Sequence, residues 1–142
     1  MRFTLLTPVA LLSTLGRSAP VTDAAHAAAP AWKVTDFTTG CSPGGCTYSF
    51  NIHAAKSANT PGFNTTCNGT DEQGGLKPCE DANVLSNLKP ETYPKWEIIV
   101  QHKWHPEEGS TRYATGSTNI TVPETNQLDS FTMEPTAEAG VE

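Results

Sequence analysis

Charge is scarce in this chain, and positive charge is the scarcest. Nine Lys and Arg stand against fifteen Asp and Glu in 142 residues, a formal charge of −6 at pH 7. Nucleic-acid binding needs a basic face that displaces counterions from phosphates, so no nucleic-acid partner is expected. Charged residues of all kinds reach only 17%, and eleven prolines and eleven glycines interrupt the chain. A long coiled coil needs charge-rich, Pro-free heptads and is excluded on the same grounds. Catalytic signatures are missing as well: there is no G-x-S-x-G elbow, phosphate-binding loop, G-x-G-x-x-G or H-E-x-x-H. A chain of this length builds one domain with a modest core, not a large buried active site with several supporting loops.

The N-terminus has the layout of an address. Met1-Arg2-Phe3 is a short cationic start, and Thr4 to Gly16 follows without charge. That apolar run is too short to span a bilayer of roughly 30 Å but suits a secretory signal. Pro8 argues against a buried helix. Gly16 and Ser18 fit the small-residue positions of a cleavage site before Ala19, and Ala25-His26-Ala27 offers a second one. Residues 1–18 are therefore expected to be a signal peptide, 19–31 a disordered lead-in, 32–133 the folded domain and 134–142 a flexible acidic tail. Cleavage removes Arg2 and Arg17, so the nine basic residues fall to seven against fifteen acidic ones, or −8. No second apolar run has membrane length, so a secreted, extracellular protein without a membrane partner is expected.

Four cysteines follow the leader: Cys41, Cys46, Cys67 and Cys79. An even number in a secreted chain implies two disulfides, with three pairings open. The local pairing is preferred, because Ser42-Pro43-Gly44-Gly45 is turn chemistry that brings Cys41 to Cys46. Closing the two local loops is worth roughly 2 and roughly 3 kcal/mol. Zinc is the competitor, but C-x4-C and C-x11-C miss the usual C-x2-C rhythm, so no metal or other cofactor is expected. Three sequons, at Asn64, Asn68 and Asn119, are candidate sites for surface N-glycans. Asn64 and Asn68 bracket Cys67, so joint occupancy would be crowded.

The body alternates with period two, as strands do. Trp32 to Phe37 places Trp32 and Val34 on one face. Cys46 to His53 sets Cys46, Tyr48, Phe50 and Ile52 against Thr, Ser, Asn and His. Trp96 to Trp104 turns Trp96, Ile98 and Val100 inward. Arg112 to Val122 is a longer strand in which Gly116 reads as a bulge, and Leu128 to Met133 closes the set. Phe63 to Cys67 reads as a further short strand, and Asp81 to Leu88 as either a helical turn or a strand. Turn residues separate these runs, and Pro106-Glu107-Glu108-Gly109 looks like a hairpin between two strong strands. The expected class is all-β: a small antiparallel β-barrel or sandwich, stapled by disulfides.

Three phrases in order, W-K-V-T-D-F at Trp32, Y-S-F-N-I at Tyr48 and G-F-N-T-T-C at Gly62, carry a resemblance. With the later Cys79, the hairpin from Trp96 to Val122 and Pro123, the chain resembles the Alternaria alternata allergen 1 family over about residues 32–123. That family consists of small secreted fungal β-barrels counted among allergens and plant-response elicitors. The resemblance implies a barrel and makes Cys67–Cys79 the core disulfide. The C-terminal cysteine pair of close members is absent, and the compact Cys41/Cys46 loop stands in the chain instead.

Chemistry is harder to find than architecture. His102 and His105 flank Lys103-Trp104, but three residues apart on a strand they face opposite sides, so both read as solvated hairpin residues. His53 lies on a polar strand face. The pairs Asp71-Glu72, Glu80-Asp81 and Glu107-Glu108 sit in turn-rich stretches rather than across a cleft. A Ca²⁺ site around Asn68 to Glu72 lacks the EF-hand pattern. Oxidised cysteines leave no thiol nucleophile, and no enzymatic activity is expected. Binding is the better class. Trp32 and Trp96 share faces with aliphatics and read as core, which leaves Trp104 as the residue-level candidate for a contact site. Three functions compete: an effector- or elicitor-like module recognising a host extracellular protein, a carbohydrate- or wall-binding module, and a small secreted hydrolase or inhibitor.

Overall fold

The computed structural model describes residues 29–141, with side chains through Pro135. The expected signal peptide, both cleavage sites and all but the last three residues of the lead-in lie outside the described residues. Nine strands follow one another: β1 (Trp32–Ser42), β2 (Gly45–Ala54), β3 (Phe63–Thr70), β4 (Lys77–Pro78), β5 (Val84–Pro90), β6 (Lys95–Trp104), β7 (Thr111–Thr121), β8 (Gln127–Met133) and β9 (Pro135–Val141). They form two antiparallel sheets, ordered β3-β2-β1-β8 and β4-β5-β6-β7-β9. Among the described residues no ladder joins the sheets, so the fold is a sandwich rather than a closed barrel. No helix occurs among the described residues. Asp81 to Leu88 is resolved in favour of strand: Asp81 closes a turn onto Val84 N, and β5 begins there.

The core lies between the sheets. Val34, Phe37, Phe50 and Ile52 from one face Val84, Leu88, Ile98 and Val100 from the other, all fully buried. Strict alternation from Val34 would turn Phe37 outward. A register shift between Thr35 and Thr38 opposite β2 prevents this, with exposed Asp36 at φ 55° as the extra residue. One inserted residue restores Phe37 to the interior, and Asp tolerates this left-handed backbone better than most residues.

Two expectations about backbone shape are corrected. Gly116 is not a bulge: it pairs in register with Val100. Its lack of a side chain is a packing requirement, because a Cβ there would lie 2.8 Å from Met133 Cγ and 3.3 Å from Trp32 Cζ3. Nor is the chain loose after Glu134. Pro135–Val141 forms β9 and extends the second sheet by pairing with β7. A small-residue acidic composition suggested a free tail, but β7 presents an edge whose backbone groups need partners. The Pro106–Gly109 hairpin is observed as expected, with Ser110 N donating to Glu107 O and Gly109 at φ 85°.

Both disulfides form with the local pairing. Cys41–Cys46 ties β1 to β2 at the tip of their hairpin, where the two are direct partners. Cys67–Cys79 ties β3, an edge of the first sheet, to the segment between β4 and β5 in the second. Beside it Glu80 N donates to Thr66 O at 3.0 Å and Asp81 N to Thr65 Oγ1 at 2.9 Å. Tyr48 spans the same side, its hydroxyl 3.0 Å from Ser86 Oγ on β5. Gln73 completes the link by donating through Nε2 to Ser86 O at 2.7 Å.

Candidate binding groove

The outer face of the first sheet collects the polar halves of three alternating strands. Thr38, Ser49 and Asn68 form one row across β1, β2 and β3, and Gly40 and Thr47 pair in the next. Gly40 has no side chain, so the sheet dips between the rows. The result is an open groove of about 500 Å³ whose lining includes Thr38, Gly40, Thr47, Ser49 and Asn68. None of its lining residues carries a formal charge. Its chemistry is that of hydroxyls and one primary amide, which donate and accept hydrogen bonds without fixing a charge.

The floor beneath the groove is rigid. Tyr48 and Gly69, partners in the ladder, lie under it. A Cβ at Gly69 would overlap Gln73 Oε1 and the Tyr48 hydroxyl, so only glycine fits. Burial pushes the Tyr48 phenol above its ordinary pKa, against the opposing effect of its bonds to Ser86 and Gln73. At one end Asp71 accepts from Cys46 N at 2.8 Å and returns a bond from its own N–H to Cys46 O, fixing the disulfide hairpin against the β3 turn. Asp71 is thereby given a structural task, and no three His, Cys, Asp or Glu groups gather as a metal set among the described residues.

Trp104, the expected contact residue, is only 7% exposed and belongs to the core. The alternation that places Trp96, Ile98 and Val100 inward continues through residue 104, and proximity to a hairpin did not override it. Its ring stacks on His102 at 5.3 Å, and its Nε1 has no hydrogen-bond partner. Together with His105, Pro106 and the 56–61 segment it backs a smaller pocket of about 250 Å³.

The histidines separate as well. His102, expected in solvent, is 4% exposed and sits between Phe63 and Trp104, with ring centroids 4.5 Å from Phe63. Burial lowers its pKa below 6.5, and the Asp81 carboxylate partly opposes the shift. His105 is exposed at the hairpin, where its Nδ1 lies 3.1 Å from both Ser110 O and Thr111 Oγ1. His53 is exposed opposite Lys33 on the groove's own sheet but in a distant row. The three do not converge.

All three sequon asparagines are exposed. Asn64 and Asn68 point from the same face of β3, about 13 Å apart at the strand rise, and only Asn68 lines the groove. Asn119 lies on β7 in the other sheet, opposite Glu97. The groove escaped sequence reasoning because it is a property of three strands at once. Its signals were nevertheless present: the polar face of β2, the Asn68 sequon and a glycine beside Cys41. Comparison with protein-family models, curated proteins and solved structures finds no match, so the likeness to the allergen family rests on the sequence motifs alone.

Proposed function

We propose that this chain is a secreted binding module without catalytic activity, of effector or elicitor type, which recognises a neutral glycan through the outer face of its first sheet. The observation that carries the reading is the uncharged, hydroxyl- and amide-lined groove over β1, β2 and β3. Sugars offer dense hydroxyl donors and acceptors and no charge, which such a lining complements. The two disulfides and the expected leader support an extracellular setting. The glycan has two sources, a wall polysaccharide or the carbohydrate of a host glycoprotein, and both present the same chemistry.

Gly40→Val tests the site. A Cβ at Gly40 meets only Thr47 Oγ1, at 3.6 Å, so the added side chain fills the groove without a backbone clash. Wild type produced in a host without N-glycosylation is expected to be retained on insoluble β-glucan or chitin, or on host glycoprotein before but not after that glycoprotein's enzymatic deglycosylation. The variant should lose about tenfold in affinity, or about 1.4 kcal/mol. Retention by neither material, or retention indifferent to the substitution, overturns the reading. Generic glycan, ester and peptide substrates should all remain unturned.

A further inference from the structure

We infer that Asn68 carries an N-linked glycan whose first sugar lies in the groove, so that occupancy of this one sequon closes the surface proposed above to other glycans. The inference rests on that reading for its consequence, but not for the modification itself. Asn68-Gly69-Thr70 is a complete acceptor motif, and its asparagine is exposed on β3. Across the sheet Asn68 is paired with Ser49, which is paired in turn with Thr38. A pyranose attached at Asn68 Nδ2 therefore meets the hydroxyls of Ser49 and then Thr38, the latter about 10 Å away across the sheet. The dip at Gly40 leaves room beside that row for its substituents.

The donor is a lipid-pyrophosphate-linked oligosaccharide of the secretory pathway. The Asn68 amide nitrogen forms a bond to C1 of the first sugar while the C1–O bond to the pyrophosphate breaks. The amide proton is lost, the lipid pyrophosphate leaves with the bonding pair, and nothing is oxidised or reduced. Asn64 lies on the same face but outside the groove, so a glycan there leaves it open. The same strand thus carries one sequon that blocks the surface and one that does not.

The full chain, secreted from a eukaryotic host, tests this with two variants. Thr70→Ala destroys the sequon but leaves Asn68 and every groove-lining residue in place, and Asn64→Gln removes the neighbouring site. Peptide mass mapping should find glycan on Asn68 in wild type and in Asn64→Gln, and none there in Thr70→Ala. An endoglycosidase cleaving within the chitobiose core should act at Asn68 at least about tenfold more slowly on native than on unfolded protein, because the sheet shields the first sugar. Thr70→Ala should bind β-glucan or chitin at least about tenfold more tightly than wild type, and Asn64→Gln should match wild type. An unmodified Asn68, or equal cleavage rates before and after unfolding, overturns the inference. Protected glycan with no binding by Thr70→Ala instead leaves the modification standing and sinks the function proposed for the groove.

Discussion

A buried, weakly basic ring is the least expected residue in this core. His102 occupies an inward position of β6 between two aromatic rings, and burial holds its pKa below 6.5. Well above that value the imidazole is neutral in both folded and unfolded chains, and folding has no proton cost. As pH falls through about 6.5 the unfolded chain takes up a proton that the folded chain resists. Stability then drops by at most about 1.4 kcal/mol per pH unit, until the folded-state pKa is passed and both forms are charged. The Asp81 carboxylate narrows that window by favouring the charged ring. His102→Phe keeps a ring in the aromatic stack and removes the titration. Urea unfolding at about pH 7.5 and about pH 5 should therefore show a smaller acid loss in the variant than in wild type. An identical loss in both would assign the acid sensitivity to the carboxylates.

At the scale of the element, one inserted residue decides which face of β1 is buried. Were Asp36 an ordinary ladder residue, the strand beyond it would turn over, sending Phe37 out and Thr38 into the core. Deleting Asp36 is expected to keep a cooperative unfolding transition, because Val34, Thr35 and Phe37 then alternate directly and the buried aromatic stays inward. Asp36→Gly should cost less than about 1 kcal/mol, since glycine adopts a φ of 55° freely. Thermal melts of the two variants check both, and loss of the cooperative transition on deletion would show that the bulge is needed for more than the facing of Phe37. Alternation made β2, β6 and β8 legible from sequence because each presents one apolar face to the core. It also determined His102 and Trp104, and only composition-based expectations about hairpin residues set it aside. The Asp36 bulge was not legible, since its cue is a single residue whose effect appears only against a partner strand. β9 was likewise hidden: its pairing depends on the open edge of β7, and the alternation of Pro135, Ala137, Ala139 and Val141 rests on mostly small residues that signal little burial. The groove belongs to the same category, because depth at Gly40 has meaning only once Thr47 and Asn68 are known to flank it.

For the whole molecule the decisive asymmetry is that the two sheets are fastened by a disulfide along one side. The β3–β5 side has Cys67–Cys79, the backbone bond from Glu80 to Thr66 and the Tyr48–Ser86–Gln73 network. On the β7–β8 side Met133 and Trp32 fill the space over Gly116, and the chain itself crosses between the sheets at residues 122–126 and at Glu134, with no disulfide there. Cys41–Cys46 lies within one sheet and holds only a hairpin tip, with Cys41 exposed, whereas Cys67 is fully buried. A thiolate reagent must reach a sulfur to attack it, so the two bridges should open by different routes. Under mild native reduction, timed alkylation and peptide mapping should find Cys41 and Cys46 freed first, with the near-UV spectrum of the core retained. Removing that bridge should cost about 2 kcal/mol, in line with its short loop. Cys67 and Cys79 should be labelled later, because Cys67 is buried and only the half-buried Cys79 sulfur is open to attack, and replacing both with alanine should cost about 3 kcal/mol. Hydrogen exchange in that double variant should rise first in β3 and β5, since the fastening there no longer opposes separation of the sheets. Simultaneous release of all four thiols, or a loss of protection that begins in β8, would place the weak seam of the sandwich on the other side.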